Sequence, residues 1–144
     1  MNDVWHWLFY LKSVGQGCIK VKMQISSNPR STRELAREGK FNTQTGGMNP
    51  GYAQANLVIL PVDYAFDFLL FCERNPKPCP LIEVVESGLF EPVESARGAD
   101  LRSDLPSYRI YRHGVLDGEV DNISKYWRDD LVSFLIGCSF TFEA

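Results

Sequence analysis

The chain has 144 residues, 44% of them hydrophobic and 23% charged, a balance that supports one folded domain with its own core and excludes a disordered chain. A formal charge of -3 and a pI near 5.4, with lysine and arginine scattered along the sequence, exclude the clustered basic footprint of a nucleic-acid or anionic-membrane binder. The four cysteines, Cys18, Cys72, Cys79 and Cys138, lie far apart with no C-x-x-C pair. Neither a zinc knuckle nor a disulfide framework is expected, and reduced thiols in a cytoplasm are the plain reading. No apolar run approaches the ~20 residues of a bilayer-spanning helix, and the aromatic stretch 4–11 lacks the basic start and small-residue cleavage site of a secretory signal.

Residues 1–22 differ in style from the rest of the chain and precede an internal methionine, Met23. They read either as a leader apart from the domain or as a first strand or helix that buries Trp5, Trp7, Phe9 and Tyr10. From Asn28 the helix signals are plain: Asn28-Pro29 or Ser31 can cap, Ser31 and Glu34 have capping-box spacing, and Gly39 supplies a stop. Residues 40–52 hold Gly46, Gly47, Pro50 and Gly51, a run that turns sharply or lets backbone approach a ligand; a surface loop without chemistry explains it as well. It has no G-K-[ST] and is no phosphate-binding P-loop.

Residues 53–60 pass from polar to continuously apolar, and Gln54 and Asn56 alternate, so they share a face if the segment is extended. Buried amides need partners. These two therefore either tie down the glycine-bearing loop or hold a ligand carboxylate. The spacing of Ala65, Phe68, Leu69 and Cys72 predicts a helix over 62–74 with Cys72 in the core, ended by Asn75-Pro76. Residues 81–85 read as a short aliphatic strand. Next, Asp100, Arg102 and Asp104 alternate, and an extended backbone would align them as a carboxylate, guanidinium, carboxylate row suited to an amino acid or equally to a surface ion-pair row. Segments 107–112 and 115–120 predict a hairpin across His113-Gly114 with His113 exposed. At the end, Trp127, Leu131, Phe134 and Leu135 have helical spacing, Gly137 can stop a helix, and Phe140 and Phe142 alternate as in a strand.

Four collinear blocks, 51–61 (GYAQANLVILP), 68–84 (FLLFCERNPKPCPLIEV), 98–114 (GADLRSDLPSYRIYRHG) and 127–143 (WRDDLVSFLIGCSFTFE), together resemble the hydro-lyase family grouped with the D-glutamate cyclases. The resemblance begins near Asn28 and leaves out residues 1–22, so residues 23–144 are expected to form the N-terminal portion of such a domain, truncated before a second set of motifs. It implies an α/β fold: a layered mixed sheet with flanking helices and a smaller part containing the hairpin. The implied activity is a dehydration by a carbon-oxygen lyase, in which D-glutamate closes to 5-oxo-D-proline and water.

That chemistry asks for a carboxylate anchor, a base for the ammonium, oxyanion donors and an acid for the departing hydroxyl. The resemblance suggests Arg102 or Arg128 as anchor, Asp100 or Asp104 as ammonium partner or base, Gln54 and Asn56 as oxyanion donors, and Glu143 as acid. Cys138 would be a nucleophile or merely pack. No residue set is assigned to a metal: Asp100, Asp104 and Glu143 suit a divalent ion, but no spacing demands one. The expected partner is a small amino or hydroxy acid, with a second copy or a complementing chain over any uncovered core face. The alternative function is a non-catalytic small-acid-binding or interaction module.

Overall fold

The computed structural model describes residues 28–43, 45, 48, 49 and 51–138. The sequence readings on residues 1–22, on Gly46, Gly47 and Pro50, on the strand at Phe140 and Phe142, and on Glu143 lie outside them.

The first helix, α1 (Pro29–Arg37), starts as its residues dictate. Asn28 is the cap, its side chain accepting from the Arg30 N–H at 3.0 Å, and Pro29 occupies the first turn where a missing N–H costs nothing. Glu34 pairs with Arg30 at 3.1 Å, so Asn28 caps the helix and Ser31 does not. Gly39 adopts φ +68° and donates to the Ala36 carbonyl, closing the helix as a left-handed cap.

Strand β1 (Ala55–Pro61) runs directly into α2 (Val62–Arg74), which carries the chain to β2 (Leu81–Val85). The hairpin of β3 (Tyr108–Arg112) and β4 (Val115–Val120) turns on His113 and Gly114, both at positive φ. Two such residues in a two-residue loop match the right-handed twist of the strands. A short 3-10 turn (Ser124–Tyr126) precedes β5 (Leu131–Gly137).

The three-stranded sheet has the order β1-β5-β2, and every ladder in it is antiparallel. The sheet expected to be mixed is therefore antiparallel over the described strands. The crossover through α2 leaves a gap one strand wide between β1 and β2, and β5 fills it running against both. With hydrogen bonds on each edge and a layer on each face, β5 is buried along its whole length.

The layers follow from alternation. Val58, Leu60, Val132, Phe134 and Ile136 face α2, where Cys72 and Phe68 meet them; Phe68 lies edge-on to Phe134 at 4.9 Å. Leu57, Ile59, Leu131 and Leu135 face the other way, against Tyr108 and Ile110 of the hairpin, Leu101 and Ile123. The helix expected from the spacing of Trp127, Leu131, Phe134 and Leu135 is thus a 3-10 turn followed by a strand. A strand covered on both faces loses its two-residue alternation, and its apolar run cannot be told from a helix by period. Among the described residues no helix is long and apolar enough to cross a membrane.

Candidate active site

Between α1, the loop before β1, the 92–107 segment and the start of the hairpin lies a cavity of about 780 Å³, a size that suits a small metabolite. Arg33 of α1, Asn56 at the start of β1, Arg97, Arg109 of β3 and Glu119 of β4 line it. Leu57 and Leu135 bring core surface to the same space.

Gln54 resolves one alternative left open by the sequence. Its side-chain amide donates to the Thr45 carbonyl at 2.6 Å and the Met48 carbonyl at 3.2 Å, so it ties down the glycine-bearing loop. Buried Asn49, at φ +50°, holds the same loop to α1 by donating to the Thr32 hydroxyl at 3.1 Å. Asn56 also lines the cavity, and its side-chain amide makes no hydrogen bond among the described residues.

The row of Asp100, Arg102 and Asp104 does not form, because the segment coils instead of extending. The N–H groups of Ser103 and Asp104 both donate to the Asp100 carbonyl, at 3.1 and 2.9 Å, and the two carboxylates then serve different guanidinium groups. Asp100 takes Arg102 through two bonds of 2.9 and 2.8 Å, and the Arg102 guanidinium sits 3.5 Å from the centre of the Phe90 ring. Burial pushes the Asp100 carboxyl up, but the Arg102 side chain and backbone N–H outweigh it and hold the group below its ordinary range. Asp104 borders the cavity, yet its side chain is 1% exposed and accepts from four donors: Arg37 twice at 2.7 Å, the Asp100 N–H and the Ser103 hydroxyl. Four donors occupy the lone pairs that a base would need.

The remaining expected residues stand elsewhere. Arg128 forks onto Asp130 with two bonds of 2.8 Å. Cys138 follows β5, and its backbone N–H donates to the Gln54 carbonyl at 2.9 Å. None of the three described cysteines is in a disulfide, and burial raises the Cys72 thiol, as core packing requires. Among the described residues no cluster of three or more His, Cys, Asp or Glu side chains suits a metal ion.

Sequence reasoning missed Arg109, Glu119 and Ser107. The Arg109 side chain is only 13% exposed, and its closest carboxylate among the described residues, Glu119, stands 3.7 Å away, well beyond the 2.7–2.9 Å of a charge-assisted bond. Glu119 accepts instead from the Ser107 hydroxyl at 2.7 Å. The signal was present in the hairpin alternation: Tyr108 and Ile110 enter the core, which turns Arg109 to the opposite face.

Fold and cavity together define a class, a small α/β domain presenting an arginine-edged cavity of metabolite size. No family model matches the chain. It is 57% identical over 122 residues to a protein of Natranaerobius thermophilus named "Putative hydro-lyase", a match covering 85% of this chain and 47% of that protein. It is 58% identical over 117 residues to one of the same name from Stutzerimonas stutzeri, covering 81% of this chain and 44% of the relative. With "Putative hydro-lyase YcsI" of Bacillus subtilis it shares 61% over 115 residues, covering 80% and 45%. The chain is therefore a homologue of these proteins over the matched residues, and it spans about half the length of the curated relatives it matches.

Proposed function

We propose that the cavity binds a small carboxylic acid and that the whole protein of which these residues form part is a hydro-lyase, with D-glutamate as substrate and 5-oxo-D-proline and water as products. The names of the relatives support the hydro-lyase class. The observation that carries the binding site is Arg109: a largely buried guanidinium on the cavity wall with no side-chain partner nearer than 3.7 Å among the described residues. A ligand carboxylate would supply the two in-plane acceptors that Glu119 does not.

In this reading the α-amine of D-glutamate attacks the γ-carboxyl carbon, a C–N bond forms, the C–OH bond breaks and water leaves. Arg109 takes the anchoring role that the sequence suggests for Arg102 or Arg128, whose guanidinium groups are engaged by Asp100 and Asp130. Asn56 donates to the developing oxyanion. Glu119 receives the ammonium proton, with Ser107 orienting it. Asp104 positions α1 against the cavity, Glu143 remains the proposed acid for the departing hydroxyl, and Cys138 packs. We place the reaction in the cytoplasm, the compartment that suits four cysteines far apart in sequence with no C-x-x-C pair.

The test adds the purified chain, and in parallel a full-length relative, to D-glutamate and to 5-oxo-D-proline, and follows conversion by chiral chromatography and binding by calorimetry. Turnover by the relative with Arg109-dependent binding by this chain is expected. A chain that binds neither compound refutes the cavity assignment. Binding by both proteins with turnover by neither favours the alternative, a small-acid-binding module.

A further inference from the structure

The cavity wall formed by residues 92–97 contains no helix or strand, so its backbone groups must find partners elsewhere. They find one carboxylate. Glu83, on β2, accepts from the N–H of Val93 at 2.7 Å and of Glu94 at 3.1 Å through one oxygen. Its other oxygen takes the N–H of Ser95 at 2.8 Å and the Ser95 hydroxyl at 2.5 Å. Three successive N–H groups converging on one anion form a nest, the backbone arrangement that proteins otherwise offer to bound anions. Two further bonds tighten the loop: Arg97 donates to the Val93 carbonyl at 2.7 Å, and the Gly98 N–H donates to Glu91 at 2.7 Å. Pro92 is buried beneath it, and Pro92, Ser95, Ala96 and Arg97 all face the cavity.

We infer that Glu83 is a positioning residue: its carboxylate is the built-in anion around which residues 93–95 fold, and it thereby holds the 92–97 wall of the cavity in place. β2 is hydrogen-bonded to the central strand β5, so the carboxylate is delivered from the most constrained part of the fold to a segment whose other hydrogen bonds, among the described residues, stay within the loop itself. The inference rests on the cavity and not on the reaction assigned to it. Glu83 touches no proposed substrate group and acts through the loop.

The experiment uses the full chain and amide hydrogen exchange, which needs no substrate. Glu83→Ala is expected to speed exchange at Val93, Glu94 and Ser95 by at least about tenfold, and tryptic cleavage after Arg97 by a similar factor, while Val58 and Phe134 in the sheet keep their protection. Acetate, a carboxylate small enough to enter the vacated nest, should restore protection in Glu83→Ala and leave the parent chain unchanged. Glu83→Gln, which keeps the shape but loses the charge, should be rescued poorly. Unchanged exchange at 93–95 in Glu83→Ala overturns the inference, as does loosening of these amides to which acetate makes no difference. If Glu83→Ala loses protection throughout, Glu83→Asp decides: it must protect 93–95 better than Glu83→Ala does at matched urea, and failure to do so overturns the inference as well.

Discussion

Arg37 and Asp104, 67 residues apart in sequence, hold each other through two parallel bonds of 2.7 Å. The geometry is lopsided: the Arg37 side chain is 45% exposed, whereas that of Asp104 is 1% exposed. Removing the arginine leaves a buried carboxylate that still has the Asp100 N–H and the Ser103 hydroxyl. Removing the carboxylate leaves those donors, and α1, without an acceptor. Asp104→Ala should therefore cost about 3 kcal/mol and Arg37→Ala about 1–2 kcal/mol, read as the difference in urea midpoints at constant slope. Equal, small losses for both would mean that the pair behaves as an ordinary surface ion pair.

What can be read from the residues alone divides along physical lines. The capped helix at Asn28-Pro29, the 62–74 helix, the 81–85 strand and the His113-Gly114 hairpin are set by local chemistry, and they stand where the spacing puts them. β5 reads as a helix because burial on both faces erases the period that distinguishes strand from helix. The acidic-basic row fails for a different reason: alternation aligns side chains only in extended backbone, and Asp100 starts a turn by accepting from the Arg102 N–H at 2.9 Å. Arg109 is hidden in the sequence because an arginine beside a core tyrosine reads as the solvent side of a strand, and only the packing of α1 and the 92–107 segment over that side turns it into a cavity wall.

Arg109 and Arg102 offer a direct comparison of an available and an engaged guanidinium. If Arg109 anchors the ligand, Arg109→Ala should weaken D-glutamate binding by about 10- to 100-fold, the worth of a desolvated charge-assisted pair. Arg109→Lys should recover little, because an ammonium cannot make the forked contact. Arg102→Ala should instead loosen the 100–104 turn and lower stability, with affinity nearly unchanged. Calorimetry separates the two, and equal losses of affinity would return the anchoring role to Arg102.

Acid should destabilise the chain in a defined window. Burial raises Glu83 and Asp100, but the Ser95 hydroxyl and the backbone N–H groups of Ser95, Glu94 and Val93 hold Glu83 below its usual range, and Arg102 does the same for Asp100. On Asp130 the Arg128 hydrogen bonds dominate and lower it too. A carboxyl bound more weakly by protons when folded contributes its stability above its unfolded pKa and loses it as pH falls through the folded value. Stability should thus be flat from neutrality to about pH 5 and fall below about pH 4, where free carboxyls titrate. Asp100→Asn should flatten that fall, and a chain whose urea midpoint declines already between pH 7 and pH 5 contradicts the assignment.

Gly137 ends β5 at a close approach. A Cβ there would stand 3.2 Å from Pro80 Cγ, 3.5 Å from the Pro80 carbonyl oxygen and 3.7 Å from Ile82 Cδ1. Pro80 has little room to retreat, because its carbonyl accepts the Gly137 N–H at 2.8 Å. Losing glycine's freedom in the unfolded chain would stabilise Gly137→Ala by about 0.4–1 kcal/mol, and overpacking costs about 1–3 kcal/mol, so a net loss near 1 kcal/mol is expected. Gly118 of β4 is the control: nothing lies within 4 Å of its Cβ position, and Gly118→Ala should be neutral or mildly stabilising. The consequence at Gly137 reaches beyond stability. The next N–H, that of Cys138, holds the Gln54 carbonyl, while the Gln54 side chain holds the carbonyls of Thr45 and Met48 on the cavity wall. Displacement of the strand end should therefore speed amide exchange around Gln54 and Met48 in Gly137→Ala and not in Gly118→Ala, and equal exchange in the two variants would show that the end of β5 and the loop are not coupled.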